Sequence, residues 1–120
     1  MIEGIELATA AARGADDKQA EDIVVLDMRG LSTIADYFVI CSGTSQPHLK
    51  AVKREVFDQL SAGHGLKPRT TEGILESQWL VLDYGDVIVH VMHAEKRGYY
   101  ALEDLWNDAP RVEVGVGAEN

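Results

Sequence analysis

The chain is short of four things, and each shortage excludes something. It has a single cysteine, Cys41, in 120 residues, so no internal disulfide and no cysteine-built zinc cluster can form. Basic residues are few: 11 lysines and arginines stand against 20 aspartates and glutamates, a net charge of -9. DNA or double-stranded RNA as a primary ligand is thereby excluded, because neutralising phosphates takes a clustered basic surface. No apolar run approaches the roughly 20 residues that span a bilayer, and Met1-Ile2-Glu3-Gly4-Ile5-Glu6 lacks the basic start of a signal peptide. A cytoplasmic domain without a membrane partner is expected. There is no internal repeat and no linker dividing the chain.

What is present is an ordinary globular composition, 46 % apolar and 26 % charged. At this length one domain hides about two-thirds of its unfolded surface. Ile2, Ile5, Ala8 and Ala12 recur at helical spacing, with Gly14 as the expected stop. Ile23-Val24-Val25-Leu26 and Asp36-Tyr37-Phe38-Val39-Ile40-Cys41 read as strands. Ser42-Gly43-Thr44-Ser45 then turns the chain into a helix with Thr44 or Ser45 as cap and Pro47 in its first turn. Leu49, Val52, Val56 and Leu60 form that helix's apolar stripe, and Gly63 and Gly65 end it.

A polar stretch from Lys67 to Gln78 has room for one short edge strand. Two strongly apolar strands follow, 79–82 and 87–92, joined by the tight turn Asp83-Tyr84-Gly85-Asp86. Tyr99 to Trp106 carries helical spacing up to Pro110, and the last residues have no periodicity. The expectation is a domain over residues 1–109 and a flexible tail over 110–120. Its fold is an α/β or α+β sandwich, a mixed sheet of about five strands flanked by helices.

The candidate chemistry is thin. Cys41 lies inside an apolar strand with no orienting partner at a telling position, so a buried, inert thiol is expected. His90 and His93, three apart on one strand, point to opposite faces and cannot share a metal there. His90 reads as a satisfied core histidine or as part of a binding face. The Ser42-Gly43-Thr44-Ser45 turn has the phosphate-binding position between strand and helix. It lacks the Walker lysine, and no carboxylate pair spaced two apart follows it on a strand, as a two-metal nucleotidyltransferase needs. Capping is the plainer role. Asp83 and Asp86 flank a turn, where solvated carboxylates of ordinary acidity are expected. No catalytic residue, cofactor or metal ligand is assigned.

Aromatic residues gather late, at Trp79, Tyr84, Tyr99, Tyr100 and Trp106, among Asp83, Asp86, Glu95, Glu103 and Asp104. Aromatic anchors with an acidic surround suit a basic protein partner. Alternation puts Trp79 and Val81 on one face of their strand, which leaves Trp79 exposed if helices cover the other.

An ordered set of segments carries a resemblance. Asp36-Tyr37-Phe38-Val39-Ile40, Ser42-Gly43-Thr44-Ser45 and Glu72-Gly73 come first. Trp79, Leu82-Asp83-Tyr84-Gly85-Asp86, Val89-His90-Val91 and the run Arg97 to Trp106 follow. Together they resemble the ribosomal silencing factor, or Iojap-related, family across about residues 1–109. Gln46-Pro47-His48 departs from the commoner basic form of that turn, so nothing is carried over there. The resemblance implies a nucleotidyltransferase-like shape without the catalytic residues. It implies a non-enzymatic factor that binds the large ribosomal subunit through its ribosomal protein fourteen, blocks subunit joining, and represses translation when nutrients are short. It also implies a homodimer when free. The expected partner-binding set is Trp79, Leu82, Asp83, Tyr84, Asp86, His90, Tyr99 and Tyr100. A divergent metal-dependent nucleotidyltransferase is the alternative.

Overall fold

The computed structural model describes residues 2–72, 78–95 and 109–115. Helix α1 spans Gly4–Asp17, strand β1 Glu21–Asp27, β2 Tyr37–Gly43 and helix α2 Gln46–His64. Strands β3 (Thr70–Glu72), β4 (Trp79–Asp83) and β5 (Val87–His93) complete the order. The helix expected over Tyr99–Trp106 lies outside the described residues.

The five strands form one mixed sheet in the order β1-β2-β5-β4-β3. Among the described strands only β2 and β5 run parallel; every other neighbour is antiparallel. That parallel pair lies at the centre, and both strands are buried along almost their whole length. Strands covered on both faces lose the polar alternation of half-exposed ones, which is why both read as continuous apolar runs.

One sheet face carries Val25, Val39, Cys41, Leu80, Leu82, Val87, Val89 and Val91. Against it pack Leu7, Ala8, Ala11 and Ala12 of α1 and the Leu49, Val52, Val56, Leu60 stripe of α2. The opposite face carries Leu26, Phe38, Ile40, Ile88 and Met92, with Val24, Trp79 and Val81 only partly covered. The fold is the expected five-stranded mixed sheet flanked by helices.

Helix α2 begins and ends as its residues dictate. Ser45 Oγ accepts the amide hydrogen of His48 at 3.2 Å, with Pro47 in the first turn. At the other end Gly65 takes φ +67°, and the amides of Gly65 and Leu66 bond back to Ser61 and Leu60.

One expectation is corrected. Gly14 does not stop α1, which runs on to Asp17. A β-carbon at Gly14 would sit 3.3 Å from Val56 Cα, so the glycine lets α1 come close to the backbone of α2. Residues 110–112 run beside β1. Asp27 donates its amide hydrogen to the Pro110 carbonyl, Val112 donates to that of Val25, and Leu26 bridges Arg111. Val112 and Val114 pack on the core besides. Backbone bonding to an edge strand needs no side-chain periodicity, so the pattern of the tail concealed it.

Candidate partner-binding face and the turn at β2

Strand register lines up the sheet face turned away from α1 and α2. Val24, Ile40, His90 and Val81 stand opposite one another across β1, β2, β5 and β4. Along β4, alternation places Trp79, Val81 and Asp83 on this same face, while Leu80 and Leu82 turn toward the helices.

His90 is the centre of the face. It is 8 % exposed, and burial pulls its pKa from 6.5 down to about 4, so the ring is neutral at physiological pH. Trp79 donates its indole hydrogen to His90 Nδ1 at 3.1 Å. Nδ1 must therefore be the bare nitrogen, and the single ring hydrogen sits on Nε2. That Nε2 is buried, with no hydrogen-bond partner among the described residues. The Phe38 ring meets the imidazole edge-on at 4.9 Å between centroids, and the Trp79 ring lies tilted at 5.9 Å. Among the described residues these three rings form a cluster in which the indole is partly buried.

The β4–β5 turn is less free than its residues promised. Asp83 accepts from Arg69 Nη2 at 3.2 Å and from the Gly85 amide at 2.8 Å, and its side chain is 20 % exposed. Asp86 Oδ2 accepts the Gly4 amide hydrogen at 2.6 Å, capping the first turn of α1 where Glu3 supplies no side-chain cap. These carboxylates hold elements of the fold together instead of standing free in solvent. Tyr84 turns its phenol inward. The hydroxyl is buried with no partner among the described residues, and burial pushes its pKa up to about 12.

Leu82 is wholly buried against the helices and offers no surface to a partner. His90 also lies beneath the surface, acting through the indole it holds. Tyr99 and Tyr100 lie outside the described residues. Trp79 is partly buried, beside Asp83 on the same strand face. The residues missed from the sequence are Phe38, which packs on His90, and Arg69, which pairs with Asp83. The alternation of β2 puts Phe38 on the side of Ile40, but its meeting with His90 depends on the β2–β5 pairing.

The turn after β2 is closed to phosphate. Thr44 donates its amide hydrogen to His48 Nδ1 at 3.0 Å, and His48 Nε2 donates to the Lys18 carbonyl at 2.8 Å. A β-carbon on Gly43 would come within 2.8 Å of Leu49 Cδ2. The histidine ring and Leu49 occupy the place where a phosphate would need open amides. Cys41 is fully buried.

The family model described as "Ribosomal silencing factor during starvation" matches residues 2–120. A relative from Bacillus subtilis, named ribosomal silencing factor RsfS, is 48 % identical over 107 residues, covering 89 % of this chain and 90 % of its own. One of the same name from Halalkalibacterium halodurans is 43 % identical over 109 residues, covering 91 % and 92 %. A crystal structure of a Chromobacterium violaceum protein superposes with a TM-score of 0.82 at 32 % identity, over 98 % of this chain and 96 % of that one.

Proposed function

The chain belongs to the ribosomal silencing factor family, and from that premise we propose that it binds the large ribosomal subunit through that subunit's ribosomal protein fourteen. Bound there, it keeps the small subunit away by occupying space and so represses translation when nutrients are limiting. No bond is made or broken; the protein acts as a wedge in the cytoplasm, and the free form is a homodimer. The observation that carries this reading is the sheet face turned away from the helices. A large ring held by His90 stands there at the rim, followed along β4 by Val81 and Asp83. A rigid indole of this kind buries much area for few lost rotamers, the profile of an interface anchor.

Charge supports the same partner. At -9 the domain is repelled by ribosomal RNA and attracted by a basic ribosomal protein, which speeds encounter and disfavours wrong docking. The nucleotidyltransferase alternative is weaker, because His48 and Leu49 fill the turn it would use.

Co-sedimentation with purified subunits tests the proposal. The protein should pellet with large and not small subunits and should lower their association. Trp79→Ala should weaken that binding by about 2 kcal/mol or more. Equal pelleting with both subunits, or unimpaired joining, would sink it.

A further inference from the structure

On the helix-covered side, between α2 and the β3–β4 edge, a groove of about 550 Å³ opens to solvent. This is the size of a small-molecule site. Phe57 and Leu80 form its apolar wall, and Lys50, Lys53 and Arg54 supply its charge. In a chain of net charge -9, three cations converging on one concavity is a local inversion of the prevailing field.

The cations are largely unspent. Among the described residues neither Lys50 nor Lys53 has an ion-pair partner. Arg54 meets Asp58 at 3.5 Å, but with side chains 81 % and 57 % exposed that pair is solvated and weak. The guanidinium keeps donors to spare beyond it. Lys50 and Lys53 stand one helical turn apart, so their ammonium groups reach the same ligand from α2. Across the groove Thr71, exposed on edge strand β3, adds a hydroxyl.

We infer that this groove binds a nucleoside diphosphate or triphosphate, with its base against Phe57 and Leu80 and its phosphates on Lys50, Lys53 and Arg54. A single phosphate would leave cations over, and a ligand without a ring would leave the apolar wall wet. An extended acidic peptide is less well served, because β3 offers only three residues of edge to pair with. Among the described lining residues the carboxylate is Asp58, already facing Arg54, so the charge offered to the phosphates is that of the three cations. The site stands on the other side of the sheet from the indole of Trp79, and its occupancy is independent of the ribosome-binding reading.

Calorimetric titration of the purified full chain in EDTA tests this without ribosomes. ADP and GDP should each bind saturably at one site. A Lys50→Ala/Lys53→Ala variant with an unchanged melting curve should bind about tenfold more weakly or worse. Phe57→Leu should weaken ADP while leaving inorganic pyrophosphate unaffected. Absence of saturable binding up to about 1 mM nucleotide would overturn the inference. So would undiminished binding by the double lysine variant, pyrophosphate binding as tightly as ADP, or hexaglutamate binding ahead of both nucleotides.

Discussion

Trp79 and His90 face each other diagonally across the antiparallel β4–β5 pair, joined by a 3.1 Å hydrogen bond from indole to Nδ1. The bond fixes both the indole's orientation and the imidazole's tautomer, so each residue determines how the other behaves.

Trp79→Phe separates ring from hydrogen bond. The phenyl keeps much of the packing but removes the donor, leaving His90 Nδ1 as an unpaired acceptor in a buried site. Unfolding in urea at neutral pH should show a loss of about 1–3 kcal/mol. An unchanged midpoint would mean that the bond contributes nothing to folding.

His90 sets an acid limit on stability. Its pKa is about 4 in the folded chain and 6.5 when unperturbed, so between those values the unfolded chain binds the proton more readily. Stability is therefore full above pH 6.5, falls as pH drops through this window, and loses about 3 kcal/mol by its lower end. His90→Gln, which does not titrate, should lack this component. The difference between the two stability-against-pH curves measures it, and parallel curves would refute it.

Gly14 and Gly63 are a matched pair. Gly14→Val pushes carbon into the Val56 backbone and should destabilise by about 1–3 kcal/mol. Gly63→Ala meets nothing within 4 Å and should stabilise by up to about 1 kcal/mol through helix propensity alone. Thermal melts of the two variants should shift in opposite directions.

How much of this was legible in the residues depends on how far apart the interacting groups lie. Helix α2 was readable from Ser45, Pro47, its four-residue stripe and Gly65, because caps and periodicity are local. The strands around the Asp83–Asp86 turn were readable for the same reason. Gly14 was misread, since a glycine that ends a helix and one that admits a neighbouring helix look alike until the neighbour is placed. Asp86 gave no sign that it caps a helix 82 positions earlier in the chain, nor Asp83 that Arg69 would claim it. Nothing local to His48 shows that it ties Thr44 to Lys18 across 30 residues. Alternation did place Trp79 and Val81 together, but the depth of His90 under the indole came only with the sheet register.

The short pairing of residues 110–112 along β1 has a consequence for solubility. β1 is an outer strand, and its core, Ile23-Val24-Val25-Leu26, is apolar and β-branched, the composition that recruits strands from other molecules. By occupying hydrogen-bonding groups at Val25 and Asp27, the arm denies that edge to a second chain. The stretch with the least sequence pattern thus serves as a guard against sticking: a chain cut after Asp108 would expose a template for aggregation that the uncut chain keeps covered.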